Sequence, residues 1–217
     1  MRSFESQPRG TVRPAFAERL ASVESVGAAL HALAGTRVDA FHVDGFLDQL
    51  TGYCVDLLDI SAAGVMLADA AAGGGGLRLL AASGEDSRRL QLAELDRDDG
   101  PSVEAYRRGH VTGHHRFDPG EPRWAGLARI ALSAGFRGSH AITMRHGDLV
   151  IGVLSLFRRS EKPLSHGDQR LGQMLAGVAT MSLLRSGALA AHRPASVAGG
   201  IEHLDRHRSG PADATAG

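Results

Sequence analysis

The sequence has little cysteine and few aromatic residues. Cys54 is the only cysteine in 217 residues, so the chain can form neither an intrachain disulfide nor a multi-cysteine metal or redox site. Aromatic residues make up 5% of the chain against 43% hydrophobic residues, which predicts a core of Leu, Val, Ala and Met. Because Cys54 lies on an apolar helical face, we expect a buried and unreactive thiol.

The chain also lacks an excess of charge of either sign, since 24 Lys and Arg balance 24 Asp and Glu. A balanced chain has no net field that would draw it to nucleic acid or to a membrane surface. No segment offers about 20 uninterrupted apolar residues. The N-terminal stretch MRSFESQPRGTVRPAF has no apolar run typical of a signal peptide. These absences predict a cytoplasmic protein without a membrane partner and, for this chain alone, without a nucleic-acid partner.

Two segments have the apolar periodicity of amphipathic helices. In residues 38–58 apolar side chains recur every three to four positions, and residues 166–184 repeat the pattern behind a capping Ser165 with Asp168 three residues later. Between them, residues 61–83 predict two short strands, and the stretch SHAITMRHGDLVIGVLSLFRR predicts a hairpin around a His-Gly-Asp turn.

This order of elements predicts an α+β fold with one central antiparallel sheet. The two end helices would pack together on one face, and the helix-and-loop segment 84–137 would lie across the other and could enclose a cavity. We expect residues 1–36 to be a partly disordered N-terminal extension with a possible helix over 15–35. Residues 37–185 would form the folded domain, and residues 186–217, poor in large apolar side chains, a disordered tail.

Four stretches carry a resemblance to a known family: CVDLLDISAAGVMLAD, DDGPSVEAYRRGHV, AGFRGSHAITMRHGDLVIGVLSLFRR and LSHGDQRLGQMLAGVATMSLL. In content and order they resemble the GAF domain over about residues 37–185. The similarity is closest to the GAF part of the actinobacterial GAF–ANTAR transcription antitermination regulators. This resemblance implies a GAF-like sheet and a sensory or regulatory role.

The sequence departs from the family pattern at several points, which limits the family properties that the resemblance implies for this chain. Ser102 stands where a cysteine commonly follows Gly-Pro, which removes thiol chemistry there. The cysteines of the GAF-type methionine sulfoxide reductases and tetrapyrrole-binding domains are missing, so no cofactor is implied. Residues 186–217 are too few for an ANTAR module. The favoured role is a non-catalytic sensory or regulatory module that binds a small molecule or a partner protein. The alternatives are a truncated or degenerate antiterminator that only dimerises, and an enzyme on the same fold.

The Gly100-Pro101 junction predicts the start of a helix, whose free N–H groups could face a bound anion. A helix start with no bound ligand is favoured, because three aspartates lie close by and would repel an anion. A cavity beside this helix would take Phe136, Ile142 and Met144 as apolar wall and Trp124 as a lid. Arg129 or Arg137 would meet an acidic group. The expected ligand-binding residues are Ser102, Trp124, Arg129, Phe136, Arg137, His140 and Met144. The alternative, a collapsed cavity, stays open.

The histidines His110, His114 and His115 suggest a metal cluster only at first sight. On an extended strand His110 and His114 lie about 13 Å apart, and His115 points to the opposite face. Zinc needs ligands at about 2.0–2.2 Å, so we expect surface histidines and no metal.

The two end helices also predict a homodimer. Phe41, Val55, Leu183 and Leu184 widen their apolar stripes beyond what packing on a sheet requires, and surplus apolar surface usually marks an interaction site. We therefore expect a parallel dimer through helices 38–58 and 166–184, which a charge at Leu183 or Leu184 should dissociate.

Overall fold

The computed structural model describes residues 14–36, 42–69, 76–110 and 112–186. Its helices and strands follow one another in this order: α1 (Pro14–Gly35), α2 (Val43–Leu57), β1 (Ala62–Asp69), β2 (Gly76–Ala82), α3 (Glu85–Arg97), α4 (Pro101–Arg108), β3 (Thr112–Arg116), a short 3-10 helix (Pro122–Trp124), α5 (Ala125–Ser133), β4 (Gly138–His146), β5 (Leu149–Arg158) and α6 (His166–Arg185). The predictions for residues 1–13, for Phe41 and for residues 187–217 fall outside the described residues.

The five strands form one antiparallel sheet in the order β2-β1-β5-β4-β3. Its middle strand, β5, is the apolar run of the predicted hairpin, and Gly147-Asp148 supplies the turn from β4. Since side chains alternate across a strand, the register assigns each residue to a face. Leu154 opposes Val65 and Ile142 on one face, whereas Ser155 opposes Gly64 and Ala141 on the other.

The first face of the sheet carries the main apolar core, which α2 and α6 cover together as predicted. Leu47, Leu50, Leu154 and Leu175 are among its fully buried members. Cys54 is also fully buried there, as expected, and burial raises the pKa of its thiol to about 12. Ser165 starts α6 as a cap by accepting a hydrogen bond of 3.1 Å from the backbone N–H of Asp168.

The other face carries α3, α4 and α5. A smaller core there contains Leu90, Leu127 and a tilted aromatic pair, Phe136 and Phe157, with ring centroids 5.3 Å apart. The predicted α+β architecture, with terminal helices on one face and a helix-and-loop layer on the other, is confirmed.

Helix α1 adds a third helix to the terminal layer. Its Leu33 is fully buried in the main core, and the Ser182 hydroxyl of α6 donates to the Leu33 carbonyl at 3.0 Å. This packing corrects one sequence-based expectation. Leu183 is fully buried and Leu184 partly buried, so neither provides the free apolar surface proposed for a dimer. Val55 is partly buried against the same core.

Candidate functional site

A solvent-open cleft of about 320 Å³ lies on the α4 side of the molecule, between α4, β3 and the 3-10 helix. Residues from all three elements line it, among them Glu104, Arg108, Gly113, His115, Arg123 and Trp124. β3 is an edge strand of the sheet, so its residues are open to solvent on one side. A volume near 300 Å³ is at the lower end of the range for small-molecule sites.

The Glu104 carboxylate and two guanidinium groups form an ion-paired charged wall of the cleft, which Glu121 also lines. Arg123 Nη2 lies 3.1 Å from Glu104 Oε2, and Arg108, one helical turn after Glu104, binds the other carboxylate oxygen. The Glu104 side chain is only 10% exposed, whereas those of Arg108 and Arg123 are 55% and 48% exposed. The carboxylate is therefore held beneath two arginines that remain accessible from the cleft.

Trp124 and His115 form the aromatic wall. The His115 ring meets the Trp124 ring edge-on with centroids 4.4 Å apart, and the Arg123 guanidinium lies over the indole at 4.4 Å. The indole N–H donates to Asp99 Oδ1 at 3.1 Å, which fixes the ring. Burial lowers the pKa of His115 from its ordinary value of 6.5, against the opposing charge of Glu121, and so favours the neutral imidazole. Trp124 is 7% exposed and is thus the floor of the cleft rather than the predicted lid.

Beneath α4 lies a separate, fully buried polar cluster. Glu94 of α3 accepts a hydrogen bond of 2.8 Å from the backbone N–H of Ser102, and the Ser102 and Ser155 hydroxyls are 2.8 Å apart. Gln91 fills the space over Gly64, where a Cβ would meet its side chain at 1.8 Å. The free N–H groups at the start of α4 therefore bind an internal carboxylate, in place of the external anion that a helix N-terminus could attract.

The geometry of this cluster explains the Gly-Pro junction. Gly100 has φ of 141°, and a Cβ there would lie 2.6 Å from Glu94 Cγ, so only glycine brings the chain close enough for the capping contact. Burial raises the pKa of Glu94 from 4.5 to about 7, although the N–H groups of Ser102 and Val103 oppose that rise. Glu94 Oε1 and Gln91 Oε1 have no hydrogen-bond partner among the described residues.

The structure separates the residues that were predicted to line one cavity. Trp124 lines the cleft, whereas Ser102 belongs to the buried cluster and Phe136 to the core against Phe157. Arg129 and Arg137 are exposed and are not among the residues that line the cleft.

The expectation for His140, Ile142 and Met144 was wrong, because all three face the terminal helices. Their cross-strand partners on β5, Leu156, Leu154 and Gly152, belong to that face, and Ile142 and Met144 are part of the main core. His140 is buried with no partner for either ring nitrogen in the described part of the chain, and burial lowers its pKa. Strand alternation explains the error: these residues share the β4 face opposite to Ala141 and Thr143.

The three clustered histidines have different environments. His110 Nδ1 is 3.0 Å from the Arg108 carbonyl, His114 Nε2 is 2.8 Å from the Glu161 carbonyl, and His115 contacts Phe117 and Trp124. Within the described ranges no group of three or more His, Cys, Asp or Glu residues could hold a metal ion. The absence of a metal remains a prediction.

Sequence reasoning missed Glu104, Arg108, Arg123 and Glu94. The spacing of Glu104 and Arg108 by four residues on a predicted helix was an available signal for an ion pair. Nothing in the sequence indicated that Arg123, on a later loop, completes that pair, or that Glu94 caps α4.

The fold and the cleft together define an α+β domain with a solvent-open cleft at one edge of its sheet. The chain belongs to the GAF domain family, whose model matches residues 42–183. None of the curated proteins matches the sequence. Every helix in the described part of the chain is too short or too polar to cross a lipid bilayer.

Solved structures share this fold at low sequence identity. The GAF domain of a phosphoenolpyruvate-protein phosphotransferase from Coxiella burnetii matches with a TM-score of 0.59 at 13% identity, covering 79% of this chain and 98% of that one. Free methionine-R-sulfoxide reductase from Neisseria meningitidis has a TM-score of 0.56 at 14% identity, with coverages of 86% and 98%. The GAF domain of a Pseudomonas syringae protein assigned as a sensor histidine kinase has a TM-score of 0.54 at 12% identity, with coverages of 83% and 97%. These likenesses show that the chain shares the GAF fold with domains of phosphotransferases and of sensor histidine kinases.

Proposed function

We propose that this protein is a non-catalytic sensory or regulatory module that binds a small molecule in the cleft between α4, β3 and the 3-10 helix. The observation that carries the proposal is the composition of that cleft. It combines an aromatic floor, Trp124 with His115, and a charged wall, Glu104 with Arg108 and Arg123, around about 320 Å³. A few convergent polar groups beside apolar surface are typical of small-molecule sites.

The proposal of a non-catalytic role rests on the environments of two side chains that could react, Cys54 and Glu104. Cys54 lies in the main core on the opposite face of the sheet, and its thiol is protonated at pH 7. Glu104 is paired with two arginines, one on each carboxylate oxygen, so both oxygens are already engaged in ion pairs. These contacts suit recognition better than bond making. The Neisseria reductase shares the fold, but at 14% identity this likeness carries no activity to the present chain.

The binding proposal can be tested by filling the cleft. A Cβ on Gly113 would meet no atom within 4 Å, and Gly113 lines the cleft, so Gly113→Phe should occupy that space without a clash. We expect compounds from a metabolite screen that raise the melting temperature of the wild type by about 2 °C or more to lose that effect in Gly113→Phe. Thermal-shift measurements, together with native mass spectrometry of the purified full chain, give both readouts.

Gly84→Phe is the matched control, because Gly84 follows β2 at the opposite edge of the sheet and also faces open space. This variant should respond to the same compounds as the wild type. Compounds that still bind to Gly113→Phe, or a wild type that binds no compound of the screen, would contradict the proposal.

We further propose that α6 mediates a homodimer, through residues other than those expected from the sequence. Met174 and Met181 are 51% and 41% exposed, and their separation of seven residues puts them on one side of the helix. Gly177 between them has open space above it, which would let a second helix approach closely. Met174, Gly177 and Met181 follow the alternating three- and four-residue spacing of a coiled-coil seam.

Met181→Glu should convert the dimer to a monomer, because a charge in the centre of a helix seam would have to be buried without a partner. Sedimentation at about 50 μM is the measurement. Leu92→Glu is the control: Leu92 is a comparably exposed apolar residue, 38%, on α3 at the other face of the sheet. A monomeric wild type, or a variant Met181→Glu that stays dimeric, would refute this interface.

A second candidate function is transcription regulation by a protein whose GAF domain only dimerises, as in a degenerate relative of the GAF–ANTAR regulators. It is favoured by the polar cluster of Gln91 and Glu94, which fills the space under α4 with the protein's own side chains. Dimers that form normally but bind no compound of the screen would support this candidate over the sensory one.

A further inference from the structure

The arginines of the cleft have hydrogen-bonding capacity that Glu104 does not use. A guanidinium carries five N–H donors, and a carboxylate has two oxygens. Arg108 and Arg123 each bind a different oxygen of the same carboxylate. Both side chains are about half exposed, so their remaining donors can reach a second acceptor from the cleft.

The charge of this group favours an anion as that acceptor. Arg108, Arg123 and the nearly buried Glu104 together carry a net charge of +1. Glu121 also lines the cleft and balances that charge over the cleft as a whole, so an anion is favoured locally, at the free donors of Arg108 and Arg123. Two arginines that converge on one point are well suited to a carboxylate, which accepts paired hydrogen bonds in one plane.

The shape of the neighbouring surface favours a flat group beside that anion. The Arg123 guanidinium carbon lies over the Trp124 ring, 4.4 Å from its centroid, and the Arg123 side chain is 48% exposed. Guanidinium groups stack on aromatic rings, so the free face of Arg123 can carry a second ring. A planar ligand would thus extend the stack of Trp124 and Arg123.

Resting on the proposed function of this cleft, we infer that its ligand is a small aromatic or heteroaromatic carboxylate. The carboxylate binds the free donors of Arg108 and Arg123, and the ring stacks on the Arg123 guanidinium above Trp124. This assignment depends on Arg108, Arg123 and Glu104 of this chain.

The test uses the full chain labelled with ¹⁵N, in which Trp124 provides the single indole N–H resonance. Benzoate is the probe. Benzamide, which keeps the ring and loses the charge, and cyclohexanecarboxylate, which keeps the charge and loses the flat ring, are the matched controls. We expect benzoate to shift the Trp124 resonance with a dissociation constant at least about 10-fold lower than that of either control.

Variants of the three charged residues test whether each of them contributes to benzoate binding. Arg108→Gln and Arg123→Gln should each weaken benzoate binding by about 10-fold, as expected for loss of a charged hydrogen-bond donor. Arg129→Gln, at an exposed arginine outside the cleft, should leave the affinity for benzoate unchanged. Glu104→Gln should strengthen it several-fold, because the competing carboxylate is removed; a merely structural role for Glu104 would not predict this gain.

The inference is wrong if benzamide binds as well as benzoate, if benzoate causes no shift at 10 mM, or if Arg129→Gln weakens binding as much as the cleft variants do. Its failure is distinguishable from failure of the proposed function. Neutral or cationic compounds that act through the cleft, and lose their effect in Gly113→Phe, would overturn only the ligand class. A cleft that binds no compound of any charge would overturn both.

Discussion

Replacing Glu94 with Gln should stabilise the protein at pH 8 by about 2–3 kcal/mol more than it does at pH 5. Glu94 is fully buried, and burial raises the pKa of its carboxyl group from 4.5 to about 7. Gln keeps an oxygen that can accept the 2.8 Å hydrogen bond from the Ser102 N–H, but it never carries the buried charge.

The sign follows from proton binding. Between pH 4.5 and 7 the folded state holds the Glu94 proton while the unfolded state releases it, so the contribution of this group to stability is full below pH 4.5 and is lost as the pH rises through about 7. His115 and His140, whose pKa values are lowered by burial, have the opposite effect below 6.5. Both proteins contain these histidines, so their contribution cancels in the difference between the free energies of unfolding of wild type and Glu94→Gln.

Urea unfolding at pH 5, 6, 7 and 8, followed by circular dichroism, measures this difference. Glu85→Gln, an exposed glutamate in the first turn of the same helix, should change stability by less than about 0.5 kcal/mol at every pH. A difference between wild type and Glu94→Gln that stays constant from pH 5 to pH 8 would show that Glu94 titrates normally.

Gly152→Ala should destabilise the protein by about 3 kcal/mol, a fall in Tm of roughly 6–12 °C. Gly152 lies on the central strand β5, and an added Cβ would come within 2.3 Å of the Met66 carbonyl oxygen and 3.0 Å of the Leu67 Cα. Both atoms belong to the backbone of β1, so the two strands would have to separate.

Calorimetry of Gly152→Ala beside Gly113→Ala tests this expectation. Gly113 also lies in a strand, but a Cβ there meets no atom within 4 Å, so Gly113→Ala should shift Tm by no more than about 2 °C. Equal effects of the two substitutions would mean that β1 and β5 tolerate a side chain between them.

The elements were predictable because each is encoded in a local pattern. The apolar repeat of α6, its capping Ser165, and the β-rich run Leu149–Arg158 are properties of neighbouring residues, which a reader of the sequence can compare directly. Their order then restricted the fold to a sheet with helices on two faces, and the GAF resemblance agreed with it.

The site was less predictable because its members are distant in sequence. Of the residues expected there, Trp124 lines the cleft, whereas Met144 faces the main core and Ser102 lies beneath α4. The face of a strand depends on register, and one residue of displacement reverses every side chain. The expected dimer surface had the same weakness: the apolar stripe of α6 was visible, but not that α1 covers Leu183.

The sequence by itself determined the α+β class, the two terminal helices, the central hairpin and the buried Cys54, since these follow from periodicity, turn residues and composition. Only the tertiary structure decided that Glu104 is shared by Arg108 and Arg123, and that Glu94 occupies the N-terminus of α4. The physical reason is the same in both cases. The energy of a charged contact depends on distance and burial, which arise when α3, α4 and the loop before α5 pack on one sheet.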